Sequence, residues 1–230
     1  MKRLLLIIFV ACLAVPASAK EVEFTLQSID DTLARIAPHA RGFPPTFASV
    51  DERKQIEADL RRLLVLLDAA VVQLPNETDL LFRAGFANAM GHNLDFSGCA
   101  EKSIAAYEKF LKLKPDDKIG NYYYGGFLAG TATRRQDSIK YLEKALSLGV
   151  TDAHYTLAFV YLGQADKQKA LLHLKKYAEA NPKETWIKEK IAQVEKAEIR
   201  IHNEPPPNYD EMTKKKEPAR QPKTNQTNAK

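Results

Sequence analysis

The chain has 230 residues, 45% of them hydrophobic and 27% charged, with two cysteines and a formal net charge of +5. That length fits one ordinary domain or one short repeat array. The composition excludes collagen-like, disulfide-dense and wholly disordered classes.

Residues 1–19 read as a secretory signal. Lys2 and Arg3 supply the positive start, and Leu4 to Val15 is an unbroken apolar run. Pro16 breaks that run, and Ala17-Ser18-Ala19 offers the small residues a signal peptidase accepts. The run is shorter than the roughly 20 residues that span a bilayer. Phe9-Val10-Ala11-Cys12 faintly resembles a lipobox, with lipid attached at Cys12. Phe9 suits the aliphatic position poorly, however, and Leu13-Ala14-Val15 stays apolar where a lipoprotein turns polar. Cleavage after Ala19 removes two positive charges, Lys2 and Arg3, and takes the net charge from +5 to +3. It also leaves Cys99 as the one cysteine, so the mature chain forms no internal disulfide. The signal reads as bacterial, which makes the periplasm, or secretion, the expected destination.

Residues 20–50 are expected to hold an N-terminal helix, Val22 to Ile36, and an irregular loop, Pro38 to Phe47. Asp51 to Leu74 is the longest amphipathic stretch, with Ser49 as N-cap and Pro75 as stop. Ile56, Leu60, Leu63, Leu64, Leu67, Ala70, Val71 and Leu74 form its apolar stripe.

From there the chain repeats itself. Ser103 to Pro115, Ser138 to Val150 and Ala170 to Pro182 share one pattern of small, large and closing residues. Each is preceded by a helical stretch with small residues at its centre: Ala84-Gly85, Gly125-Gly126 and Leu157-Ala158. The last repeat carries His154, Leu157, Ala158 and Tyr161, then Ala170, Leu174 and Pro182. The middle one carries Tyr122, Gly125, Gly126 and Ala129, then Ser138, Leu142, Ala145 and Val150. The first carries Leu81, Ala84, Gly85 and Asn88, then Ser103, Tyr107, Phe110 and Pro115. The central small residue precedes the closing residue by 24 positions in the second and third repeats and by 30 in the first. The surplus is expected in the inter-helix turn, around Gly91 to Gly98.

This pattern resembles the tetratricopeptide repeat, a helix-turn-helix unit of about 34 residues. The resemblance covers residues 51 to about 200 and implies an all-α, right-handed solenoid with flanking helices. Asp51 to Pro75 reads as the second helix of a degenerate repeat, and Glu184 to Ile201 as a terminal capping helix within an array spanning 51–202. Residues 203–230 read as a disordered polar tail, opened by Pro205-Pro206-Pro207, with six Lys/Arg against four Asp/Glu.

Catalytic signatures are lacking in the sequence. The five histidines, His39, His92, His154, His173 and His202, form no His-x-x-x-His pair, and there is no Cys-x-x-Cys. His92, Asp95 and Cys99 share the long turn of the first repeat, and a polar loop around a buried thiol explains them. Gly-x-Ser-x-Gly is absent. Gly125-Gly126 lies inside a helix, where close packing accounts for it. The expectations are therefore no enzyme, no metal and no cofactor. Nucleic acid is not expected as a partner, and any membrane contact, through Lys214-Lys215-Lys216, would be peripheral.

Aromatics four residues apart recur on the first helix of each repeat: Phe82 and Phe86, Tyr123 and Phe127, Tyr155 and Phe159. In each pair the second follows directly after the central small residue. Positions i and i+4 share a helix face, and the resemblance puts first helices on the concave side. Stacking would then line a groove with six aromatics, the residue class that dominates binding hot spots. The resemblance implies a non-enzymatic interaction module or adaptor of the cell envelope, with a peptide or helix of a partner in that groove. The alternative is a self-assembling protein that buries its aromatic face between copies. A third reading fills the groove with the chain's own Val22 to Ile36 segment, or makes the six aromatics simply core.

Overall fold

The structure, a computed structural model, describes residues 5–6 and 24–196. The signal calls at Cys12 and Ala19, the part of the expected capping helix beyond residue 196 and the tail 203–230 lie outside the described residues. Within them the chain is helical apart from one antiparallel pairing of two-residue strands, β1 (Leu5–Leu6) and β2 (Phe24–Thr25).

Helix α1 (Leu26–Ala40) opens with a reciprocal cap. The Ser28 amide donates to the Thr25 hydroxyl, and the Thr25 amide donates to Ser28 Oγ. The helix starts and ends four residues later than the sequence pattern suggests and runs through Pro38. Tertiary contacts override the breaker: Ala37 and Ala40 are buried, and Asn93 Nδ2 donates to the carbonyls of Ala40 and Arg41. Helix α2 (Val50–Gln73) is capped by Ser49, which accepts from the Glu52 amide. The expected stripe from Ile56 to Ala70 is buried, whereas Val71 is half-buried and Leu74 exposed.

Three hairpins follow: α3 (Thr78–Asn93) with α4 (Cys99–Leu113), α5 (Lys118–Gly130) with α6 (Ser138–Ser147), and α7 (Ala153–Gly163) with α8 (Lys167–Ala180). Helix α9 (Trp186–Glu195) packs on α8 and buries Ile187 and Val194. The surplus of the first repeat mostly lengthens its first helix, which has 16 residues against 13 in α5 and 11 in α7. The remaining turn tucks Leu94 and Phe96 into the core, with the Arg61 guanidinium 3.7 Å above the Phe96 ring. In the second repeat, where Val150 replaces the usual Pro, Gly149 ends α6 at φ +90°, a conformation that suits glycine. The Val150 amide then closes onto the Ala145 carbonyl at 2.9 Å.

Each hairpin packs internally, and α1, α3, α5 and α7 also touch in order. These first helices form one continuous layer, and α2, α4, α6 and α8 form the other. First helices in mutual contact put their layer on the inner side of the stack. This is an all-α helical-repeat fold of the tetratricopeptide type. Helix α1 occupies a first-helix position in that layer, beside α2 and α3.

Candidate functional site

The inner layer takes its spacing from small residues. A Cβ on Gly85 would stand 2.9 Å from the Tyr107 ring, so α3 and α4 meet at van der Waals distance only because that atom is missing. In the middle hairpin the same task falls to Gly125, whose Cβ would stand 2.8 Å from Leu142 Cγ. Gly126 does not share it: among the described residues, no atom beyond its chain neighbours and its own turn of helix backbone lies within 4 Å of where its Cβ would be. Close packing therefore explains one glycine of the pair and not the other.

This places the middle repeat one residue out of the register read from sequence. Thirteen residues separate Gly125 from Ser138, against twelve from Ala158 to Ala170. The short 3-10 turn Arg135–Asp137 takes up the extra one. The core position three before the packing residue, held by Phe82 and Tyr155 in their repeats, is thus held by Tyr122. That ring packs among Leu142, Ala145 and Leu157.

The six aromatics consequently form two groups and no single ladder. In the first, Tyr123 meets Phe82 at 5.6 Å and Phe86 at 5.3 Å, both edge to face, and Phe127 meets the His92 ring at 5.8 Å. Phe86 is buried, and Phe82, Tyr123 and Phe127 are half-buried. In the second, Tyr155 is enclosed, with Phe159 at 4.7 Å, Tyr177 at 5.3 Å and Trp186 at 5.4 Å. Phe159 is half-buried at its edge.

The open part of the inner face is therefore on α5. Tyr123, Phe127 and Gly130 stand at i, i+4 and i+7, with Gly126 between them. Gly130, like Gly126, has no described atom beyond its chain neighbours and its own helix backbone within 4 Å of its missing Cβ. At its N-terminal margin, Arg83 Nε and Nη2 each donate to the Asp30 carboxylate at 2.7 Å, tying α3 to α1.

The turn residues of the first repeat do other work. Cys99 starts α4 with its Sγ packed toward Gly91, and burial pushes the thiol pKa up. On the outer side, the Tyr124 hydroxyl donates to Glu108 Oε1 at 2.8 Å, and Arg134 Nη1 donates to the same oxygen at 3.1 Å. Burial and the Glu108 carboxylate hold the Tyr124 phenol far above its usual range. The network lies beside an open recess of about 280 Å³, lined by Glu108, Leu111, Lys112, Pro115, Asn121 and Tyr141.

Solved structures of MamA are similar to this fold. One superposes with a TM-score of 0.53 at 18% identity, covering 66% of this chain and 86% of its own. A second, of MamA protein, gives 0.53 at 17% identity over 73% and 83%. A MamA RS-1 ArsTM double mutant gives 0.51 at 18% identity over 65% and 81%. At such identity the likeness establishes the helical-repeat architecture alone. No family model matches the chain, and no curated protein matches it.

Proposed function

We propose that this protein is an exported, non-enzymatic adaptor of the bacterial cell envelope that holds a helix or peptide of a partner protein against the inner face of α5. The observation that carries the reading is the bare strip of Gly126 and Gly130 beside Tyr123 and Phe127. A glycine inside a helix costs about 1 kcal/mol relative to alanine. Gly125 offsets that cost with the α5–α6 contact, and Gly126 has no such contact among the described residues, while Gly130 is the last residue of α5 and only extends the open strip. Half-buried rings beside exposed backbone suit a partner that approaches closely, with the rings as apolar anchors. Phe82 and Phe86, edge to face with Tyr123, then support the groove from beneath, whereas Tyr155 and Phe159 belong to the closed C-terminal end.

Export rests on the segment Lys2 to Ala19, and the mature chain should begin at Lys20. Intact mass of the protein from the envelope fraction checks this, and an N-terminus at Met1 or Cys12 would overturn it. In the exported form the β1–β2 pairing is lost with Leu5 and Leu6.

The groove is tested by Phe127→Asp and Gly126→Leu in the tagged, full-length mature protein. Crosslinked partners from the envelope should disappear for both variants while helicity and the denaturation midpoint stay near wild type. An unchanged partner set defeats the reading. A mass that rises with concentration in the wild type, and falls to monomer in both variants, would assign the same face to a second copy.

A further inference from the structure

The C-terminal hairpin holds a second constellation, separate from the groove on α5. His154 stands in the first turn of α7 and His173 in the middle of α8. The packing of Ala158 with Leu174 brings these helices together. The two imidazoles face each other across the hairpin with Nδ1 to Nδ1 at 2.9 Å and ring centroids 5.1 Å apart. Tyr161 stacks on the His173 ring at 5.4 Å with an interplanar angle of 23°.

Without a ligand, one Nδ1 carries the proton and the other accepts it. The same separation also fits metal coordination. Two nitrogens each about 2.05 Å from one metal ion, at a right angle to each other, stand about 2.9 Å apart. Imidazole suits zinc, copper and nickel, and copper(II) heads the affinity order of the divalent first-row series. We propose that His154 and His173 form a two-imidazole chelate for a divalent transition-metal ion, with copper(II) as its preferred occupant.

The electrical setting is compatible with this. Burial, then the neighbouring Lys176, lowers the His154 pKa, with Glu179 acting in the opposite direction. Burial, then His154, then Lys176, takes His173 down to about 4. Both rings are therefore neutral at pH 7, the state that ligates metals. Lys176 opposes a bound cation and Glu179 favours one. Among the described residues no group of three or more His, Cys, Asp or Glu side chains gathers, so water completes the coordination shell. That leaves the ion exchangeable.

The test titrates metal-free, full-length mature protein with copper(II) chloride and, because nickel(II) does not oxidise Cys99, with nickel(II) chloride. One equivalent should bind per chain, with two equatorial nitrogen donors in the copper electron paramagnetic resonance spectrum. Nickel(II) should raise the thermal midpoint. His154→Gln and His173→Gln should each weaken binding by at least about tenfold, since loss of an outer-shell partner alone costs that much. His39→Gln should leave it unchanged. Absence of stoichiometric uptake, or uptake equal to wild type in both hairpin variants, overturns the proposal. Should a variant lose its helicity, the wild type still decides: nickel(II) must protect His154 and His173 from carbethoxylation, and unchanged labelling refutes the site.

Discussion

The middle and C-terminal hairpins carry the same aromatic spacing on their first helices and use it in opposite ways. At the C-terminal end, Tyr155 is 1% exposed and sits inside a cage of Phe159, Tyr177 and Trp186, with α9 closing the stack. In the middle, Tyr123 and Phe127 are half-buried, and Gly126 and Gly130 leave the helix backbone bare beside them. The first arrangement seals an array end, which solenoids require. The second leaves apolar surface and open backbone on one inner helix, which an internal core does not require. A recurring pair of aromatics is therefore not by itself a binding signature; what packs over each ring decides its role.

Truncation should separate the two regions most sharply. Tyr155→Ala empties an enclosed site and should cost about 3–5 kcal/mol, in line with other large aromatic deletions. Phe127→Ala removes a ring that is already partly in water and should cost about 1 kcal/mol. Urea denaturation of both variants measures the contrast, and similar losses would mean that Phe127 is core. The two glycines sharpen the same contrast at smaller scale. Gly125→Ala drives a methyl into Leu142 and should cost about 1–3 kcal/mol. Gly126→Ala meets no described atom and should gain about 0.5–1 kcal/mol from helix propensity. If Gly126→Ala destabilises, the strip is packed and the groove reading fails with it.

The architecture was legible because one hairpin's requirements recur: small residues where helices touch, large ones between hairpins, and a stop at each end. Ser49 and the stripe from Ile56 to Ala70 were readable from local spacing for the same reason. The end of α1 was not, since Asn93, distant in sequence, holds the carbonyls beyond Pro38. The division of labour between Gly125 and Gly126 was hidden because the turn at Arg135–Asp137 absorbs one residue without leaving a mark in composition. The His154–His173 pair escaped because short-range motif spacing does not register partners that meet across a hairpin.

A further small effect concerns that pair and distinguishes the C-terminal hairpin from the middle one by its response to acid. His173 titrates near 6.5 when unfolded and at about 4 in the fold, because burial and the facing His154 disfavour its charged form. His154 is shifted in the same direction, chiefly by burial. Below pH 6.5 the unfolded chain therefore binds protons that the folded chain refuses. The stability contributed by the neutral pair is fully present above pH 6.5 and is lost as pH falls from 6.5 toward 4. Both rings are partly solvated, and screening limits the loss to about 1 kcal/mol. Urea midpoints of metal-free protein across that window should fall for wild type and flatten for His173→Gln, which cannot take up the proton. Because Tyr155 and Trp186 sit at the same end of the array, tryptophan emission from Trp186 should report the acid step. A slope unchanged in His173→Gln would place the titrating groups elsewhere and leave the two imidazoles a static contact.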